Sequence, residues 1–336
     1  MQATQYPGLA FSIYSRSVVV VALMLIWLGA ATTTKQAGMI FADWPLSMGT
    51  FNPPGWLDNL IPFLEHSHRL FAKLVGFLVL GLFCWSYVRS WRKAGEVFGL
   101  VFWMALTLAV FIAAGAERFD AERKQMLFWI GLVCASLPMS WLIWSWRLRG
   151  WNSIQKWSAL ALLMVTTQAI LGGLRVTEIS DGFAVFHGCF AQLFFCVLIF
   201  VTMLSSRRWP TLPFSIPGSQ IKVVRWGGVV LISLVAIQLL LGAIMRHYHR
   251  AGLVDTDLVR TQGEWIPSFE EPLIAVMFLH KFTAMSLLLF TVGLWLLIRG
   301  IRSESKSSPS GQPCHLLKKN IPVCDIRSSG SGGPLE

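Results

Sequence analysis

Charged residues are scarce in this chain of 336 residues: they make up only 13% of it, whereas 54% of the residues are hydrophobic. An ordinary soluble domain has about 25% charged residues, so an ordinary soluble globule is excluded. Apolar runs of about 18–25 residues recur along the chain, and each is long enough to cross a hydrocarbon core of about 30 Å as a helix. Backbone polar groups must be paired within such a segment. The sequence therefore predicts an all-α fold, a polytopic transmembrane helical bundle.

Acidic residues are scarcer than basic ones, 17 against 28, which gives a net charge of +11. A strongly basic chain can bind nucleic acid, but no basic stripe here forms a domain of its own. Excess Lys and Arg are typical of the cytoplasmic loops of membrane proteins. We therefore predict no nucleic-acid partner, and membrane lipid as the surroundings of most of the surface.

Cysteine is also rare, with six in the chain. Four lie in apolar stretches and two in the polar C-terminal segment: Cys84, Cys134, Cys189, Cys196, Cys314 and Cys324. No CxxC or CxxCH motif occurs, so neither a zinc knuckle nor covalent haem attachment is indicated. These cysteines are predicted to be small packing residues.

We predict eight spans, at about 17–32, 67–88, 97–115, 126–146, 157–175, 183–204, 223–245 and 275–298. The first apolar run is interpreted as a true span rather than a cleaved signal peptide. Basic residues follow every second span, so the positive-inside rule places both termini in the cytoplasm. The predicted parts are a cytoplasmic N-terminus (1–16), a first helical half (17–205), an incomplete second half (206–300) and a disordered polar tail (301–336).

Three histidines lie just inside apolar stretches of membrane-spanning length, namely His68, His187 and His280. The predicted topology brings all three into the membrane from the same side and at similar depth. A histidine in hydrocarbon is costly unless its nitrogens are satisfied. Neutral imidazoles in a helix bundle suit a haem iron, so these three residues are predicted iron ligands.

Charged residues accompany the first histidine. Glu65 lies three residues before His68, on the same helix face, where a carboxylate can orient the ring or take a proton. Arg69 can meet a haem propionate, because its guanidinium is suited to carboxylates. The alternative is the interfacial start of a helix, with Glu65 near the positive end of the helix dipole. His66 is predicted to be a solvated neighbour.

A short pattern occurs twice in the second part of the chain. Gln168-x-x-Leu-Gly with Arg175 precedes His187, and Gln238-x-x-Leu-Gly with Arg246-His247 precedes His280. This indicates a weak internal duplication, and repeats in membrane proteins often place a ligand site at their interface. The glycines alone are typical of ordinary helix packing. Arg175 and His247 are candidate cofactor-binding residues, although His247 and His249 are near the water boundary, where histidines are more often solvated.

The same residues resemble the haem A synthase family. The resemblance includes Trp44-Pro45-Leu46, Glu65-x-x-His68-Arg69, both glutamine motifs, His187 and His280-Lys281, and covers about residues 20–300. It implies a duplicated bundle in the bacterial cytoplasmic membrane, with haem O as substrate in the first half and haem b as cofactor in the second. By the resemblance His68 and His187 flank the substrate iron, Glu65 is catalytic and His280 holds the cofactor haem.

The implied reaction is oxidation of a haem O methyl group to the formyl group of haem A, with haem O synthase and the cytochrome oxidase assembly machinery as partners. The chain departs from the family pattern in three ways. It has two extra spans at about 97–146, the fourth histidine of the pattern is not found, and the predicted external loops contain no cysteine pair. Three alternatives stay open: a di-haem b-type electron-transfer protein, a catalytically impaired haem-binding homologue, and a transporter with its site at a repeat interface.

Overall fold

The computed structural model describes residues 8–114, 119–178, 181–206, 218–248 and 257–307. Within these ranges the chain forms eight helices: α1 (Leu9–Thr34), α2 (Leu60–Tyr87), α3 (Trp91–Ala114), α4 (Ala121–Leu148), α5 (Ser153–Glu178), α6 (Asp181–Ser205), α7 (Gly218–His247) and α8 (Pro272–Ser307). All eight are long and apolar enough to cross a membrane. The prediction of an all-α, multi-pass membrane bundle is confirmed.

The helices extend beyond the predicted spans at several ends. The first helix begins at Leu9 rather than near residue 17, and the last continues to Ser307. The prediction of disorder from residue 301 is therefore wrong for 301–307. Backbone hydrogen bonds can continue past the membrane surface until a helix breaker intervenes, and the next proline is Pro309. The rest of the predicted tail and His249 lie outside the described residues.

Four helices form a closed bundle. Helix α1 packs along α2 and α6, and α5 packs along the same two helices. Aliphatic side chains from all four meet in its core, including Val18, Val79, Leu162 and Val201, which are at most 1% exposed. Two helix hairpins, α1–α2 and α5–α6, are thus joined face to face.

Helices α3 and α4 form a further hairpin, which contacts the bundle through α2 and α5. Pro138 lies inside α4 and has no N–H to donate, so the carbonyl of Cys134, four residues earlier, loses its helical partner. The indole Nε1 of Trp103 in α3 donates to this carbonyl at 2.8 Å. A neighbouring helix therefore satisfies the backbone group that the proline leaves unpaired.

Helices α7 and α8 form the last hairpin, which packs on the bundle through α6. The most apolar stretch of α7 contains no buried residue. At the end of α7, Arg246 donates to the backbone carbonyl of Ala30 at 3.2 Å and also to the hydroxyl of Thr34 in α1. This hairpin is consequently more exposed to lipid than the bundle helices.

Candidate functional site

Each of the three predicted iron ligands lies on the second helix of a hairpin, opposite a glycine of the first helix. A Cβ atom on Gly29 would lie 3.0 Å from Cε1 of His68, and one on Gly242 would lie 3.0 Å from Cε1 of His280. The corresponding distance from Gly172 to His187 is 3.2 Å. The glycines therefore do more than allow close helix packing: each leaves room for an imidazole ring.

The ring nitrogens have a common environment as well. In all three histidines Nδ1 is buried and makes no hydrogen bond of standard geometry. The ring nevertheless interacts with the backbone carbonyl of the residue four positions before its glycine: Leu25 for His68, Gln168 for His187 and Gln238 for His280. A carbonyl at one ring nitrogen favours the tautomer in which the other nitrogen is a metal ligand.

The two glutamines of the repeated motif differ in what their side chains do. Gln168 Nε2 donates to the backbone carbonyl of His187 at 2.9 Å. Gln238 Nε2 instead lies 3.2 Å from Nε2 of His280. The second amide thus occupies the direction in which that imidazole would bind a metal, and coordination there requires it to turn away.

His68 and His187 both lie in the four-helix bundle. They interact electrostatically with each other, and Arg175 acts on both. His68 lies eight residues after Leu60, the first of its helix, and His187 lies six after Asp181. At about 1.5 Å per residue, both are within about 12 Å of the same bundle end.

His280 belongs to the separate α7–α8 hairpin, also eight residues after the start of its helix at Pro272. The predicted cofactor-binding residue His247 is in the same hairpin but is directed toward the bundle. Its electrostatic neighbours are Arg175, Asp181, Arg246 and His187. The structure thus associates His247 with the first histidine pair.

Glu65 and Arg69 hold the loop between α1 and α2 against the bundle end. Glu65 accepts hydrogen bonds from the backbone N–H groups of Ile40 at 2.7 Å and Phe41 at 3.3 Å. It also pairs with Arg69 at 2.6 Å, and both side chains are at least 91% buried. Arg69 donates in addition to the carbonyls of Phe41 and Asp43. The site of the first histidines is therefore covered by residues 37–58, here named the cover loop.

His66 is not solvated, contrary to prediction. It is 1% exposed, its Nδ1 lies 3.1 Å from Oγ of Ser47, and the Trp56 ring is centred 4.6 Å from its own. The preceding residue, Glu65, lies under the same loop, which explains the burial: the loop folds back over the start of α2. Sequence spacing could not reveal this contact.

The cover loop also contacts the α5–α6 hairpin. Trp44 packs on α5, where a Cβ on Gly173 would lie 2.7 Å from its ring. The guanidinium of Arg175 lies against Gly38, with 3.0 Å between Nη2 and a Cβ built there. Glu65 is an electrostatic neighbour of Arg175. The loop thereby encloses a cation that faces both His68 and His187.

The α7–α8 hairpin repeats this arrangement. Lys281, which follows His280 as Arg69 follows His68, donates at 2.6 Å to the carbonyls of Asp257 and Arg260. Each of the loops that Arg69 and Lys281 contact contains a tight turn, Ser47–Thr50 in the cover loop and Thr261–Glu264 in the loop before α8. Both central residues of each turn have a positive φ. The duplication therefore extends to α1–α2 and its loop. A Gly two residues after the start of each turn was the signal that sequence reasoning missed.

Protein side chains alone do not form a metal cage here. No three His, Cys, Asp or Glu side chains come together as a metal-binding group within the ranges that the structure describes. Two cavities among those residues lie at the other end of the molecule. Single imidazoles opposite glycines instead suit a planar group that brings its own metal, with the helix hairpins as its walls.

Fold and site define a polytopic helical membrane protein built from histidine-bearing hairpins. Residues 126–314 match the model of the COX15-CtaA family, described as cytochrome oxidase assembly protein. This is more than half of the chain, and the chain belongs to that family, as the resemblance predicted. The protein therefore acts in cytochrome oxidase assembly. No curated protein and no solved structure matches the chain.

The matched segment contains His187 and His280 and begins inside α4. The first hairpin, with His68, precedes it. What connects that hairpin to the matched part is the structural repeat: the glycine opposite the histidine, the carbonyl four residues earlier, and the basic residue that anchors a loop.

Proposed function

We propose that this protein is a haem A synthase-like oxidoreductase, which oxidises a methyl group of haem O to the formyl group of haem A. The observation that carries the proposal is the pairing of His68 and His187 in one closed bundle, each ring against a glycine and a backbone carbonyl. Membership in a family of cytochrome oxidase assembly proteins supports the choice among haem proteins.

The residues fit a haem on the chemistry of the donor set. Each ring interacts with a backbone carbonyl, and its Nδ1 is buried without a standard hydrogen bond. This arrangement favours Nε2 of His68 and of His187 as the iron ligands. Arg175, which acts on both rings, is the cation for a propionate. Arg69 is a weaker candidate for that role, because its donors already serve the cover loop.

A bound haem would supply the redox-active iron for this oxidation. The methyl carbon gains one oxygen atom, from water or dioxygen, and loses four electrons in total to an acceptor that the chain itself does not supply. The protein supplies position and shielding. Its two histidines would hold the macrocycle, the cover loop would limit the access of water, and Arg175 adds a half-buried positive charge. Glu65 is the carboxylate that could handle a proton, although it must release a contact with Ile40, Phe41 or Arg69 to do so.

In this proposal His280 holds a haem b cofactor on the α7–α8 hairpin, with Gln238 turned away from Nε2. Haem O synthase and the assembly machinery are the expected partners. The basic ends of α2, α4, α6 and α8 favour the cytoplasmic side of a bacterial membrane. The end of the molecule that carries the three histidines then faces the outer side of the membrane.

The test is haem analysis of the full chain expressed with a supply of haem O. We expect haem A in the extract of the wild type, and loss of the substrate haem spectrum in His68→Ala and His187→Ala. His66→Gln is the matched control, because it changes a buried histidine of the same helix that contacts Ser47 instead. Haem b alone in the wild type, under conditions that load haem O, would instead support a b-type electron-transfer protein or an impaired homologue.

A further inference from the structure

A cavity of about 450 Å³ lies at the end of the molecule opposite the histidines. It is bounded by the end of α2, the start of α3, the end of α4 and the segment before α5. Its lining consists of Tyr87, Arg92, Lys93, Glu96, Arg149 and Trp151. This cavity belongs to neither of the histidine sites.

The cavity carries excess positive charge. Its one carboxylate, Glu96, accepts hydrogen bonds from Tyr87 and Arg149, and Arg149 also donates to the Tyr87 hydroxyl at 3.0 Å. Lys93 lies with Nζ 4.9 Å from the centre of the Tyr87 ring. Because Glu96 offsets only one of three basic side chains, Arg92 and Lys93 leave the cavity attractive to an anion.

An apolar groove of about 300 Å³ continues from the cavity between α3 and α4 and shares Glu96 with it. Gly99, Leu100 and Trp103 line it from α3, and Leu137, Pro138 and Trp141 from α4. A Cβ on Gly99 would meet no atom within 4 Å, so the groove is open at this point. Both of its walls are membrane-spanning helices.

We infer that the cavity and groove together bind one anionic phospholipid. The phosphate lies between Arg92 and Lys93, and an acyl chain follows the groove along α3 and α4. Charge complementarity selects an anionic headgroup, because basic pockets between helix ends at the membrane surface attract lipid phosphates. The apolar groove selects a lipid over a free phosphate, which would gain nothing from it.

The headgroup test uses the full chain in nanodiscs of phosphatidylcholine with a minor fraction of phosphatidylglycerol, followed by mass spectrometry of the lipid that stays bound on transfer to detergent. We expect one retained phosphatidylglycerol per wild-type chain and at least a fivefold loss in the double variant Arg92→Gln/Lys93→Gln. The matched control is Lys222→Gln/Arg225→Gln, which removes two exposed charges at the same membrane end and should retain the lipid.

The groove test uses Gly99→Leu, which fills the open space, against Gly95→Leu, whose Cβ is also free of contacts but lies outside the lining. Only Gly99→Leu should reduce retention, by about fivefold, and excess inorganic phosphate should not displace the lipid. Equal losses in test and control variants, displacement by phosphate, or retention of only a zwitterionic lipid or a quinone would overturn the inference.

Discussion

Gly172 of α5 lies directly against the imidazole of His187 in α6, with 3.2 Å between Cε1 and a Cβ built on the glycine. The next residue of α6, Gly188, has no atom within 4 Å of its own Cβ position. The two glycines are thus a matched pair, one in contact with the candidate ligand and one not.

We expect Gly172→Val to displace the His187 ring and to lower haem retention at least tenfold. Gly188→Val should leave it within twofold, since its side chain enters open space. The measurement is the haem-to-protein ratio of the purified chain, with helix content followed by circular dichroism. Equal haem retention in both variants would show that Gly172 does not position the His187 ring.

The ion pair between Glu65 and Arg69 should matter for stability because it is buried. Removing one partner of a buried pair costs about 3–5 kcal/mol, so Arg69→Ala should lower the free energy of unfolding by about that amount and expose the cover loop to protease. The control is Arg123→Ala, whose pair with Asp120 is more than 60% exposed and should be worth at most about 1 kcal/mol. Similar losses in the free energy of unfolding of the two variants would show that burial does not make the Glu65–Arg69 pair more important for stability.

Glu65 can be tested separately for chemistry. Glu65→Gln keeps an oxygen that accepts from Ile40 and Phe41 but cannot exchange a proton as a carboxylate does. The variant leaves the buried Arg69 guanidinium without a charged partner, so we expect it to lose part of the stability and loop protection that Arg69→Ala loses. If Glu65 handles a proton, haem A formation per bound substrate haem should in addition fall at least a hundredfold, in the range of general acid–base effects. Normal haem A formation would leave Glu65 as a loop anchor only.

The glutamines of the repeated motif should respond in opposite ways. Gln168→Leu removes a hydrogen bond to the His187 carbonyl and should cost about 1 kcal/mol of stability. Gln238→Leu removes an amide from Nε2 of His280. If that nitrogen binds the haem iron, haem affinity at the α7–α8 hairpin should be unchanged or higher. Free energies of unfolding measure the first effect and titration of haem b measures the second. Weaker binding in Gln238→Leu would refute Nε2 of His280 as the ligand atom.

Trp103 and Pro138 should be coupled through the carbonyl of Cys134. Trp103→Phe leaves that carbonyl unpaired, at a cost of about 1–3 kcal/mol. In a Pro138→Ala background the restored N–H satisfies the carbonyl, so the same change should cost less. A double-mutant cycle of unfolding free energies measures the difference. Strict additivity of the two free-energy changes would show that the Trp103 hydrogen bond does not compensate for the N–H that Pro138 lacks.

The sequence predicts the number of helices and the histidine end of each hairpin well, because both depend on local apolar patterns. His68 and His187 interact electrostatically in the structure, and their role as iron ligands stays a prediction. The contacts of the cover loop could not be predicted, since Glu65 and Arg69 bind backbone groups more than twenty residues away. The burial of His66 has the same origin. Residue spacing along a helix indicates which side chains share a face, but not what folds over that face.

The α3–α4 hairpin crosses the bilayer and returns, so it leaves the direction of every later helix unchanged. A pair of helices can be accommodated at this point, or omitted, without moving any histidine to the other leaflet. A single helix in the same place would reverse α5–α6 and carry His187 to the surface opposite His68. His68 and His187 can therefore lie near the same membrane surface only if an even number of helices crosses the membrane between their two hairpins.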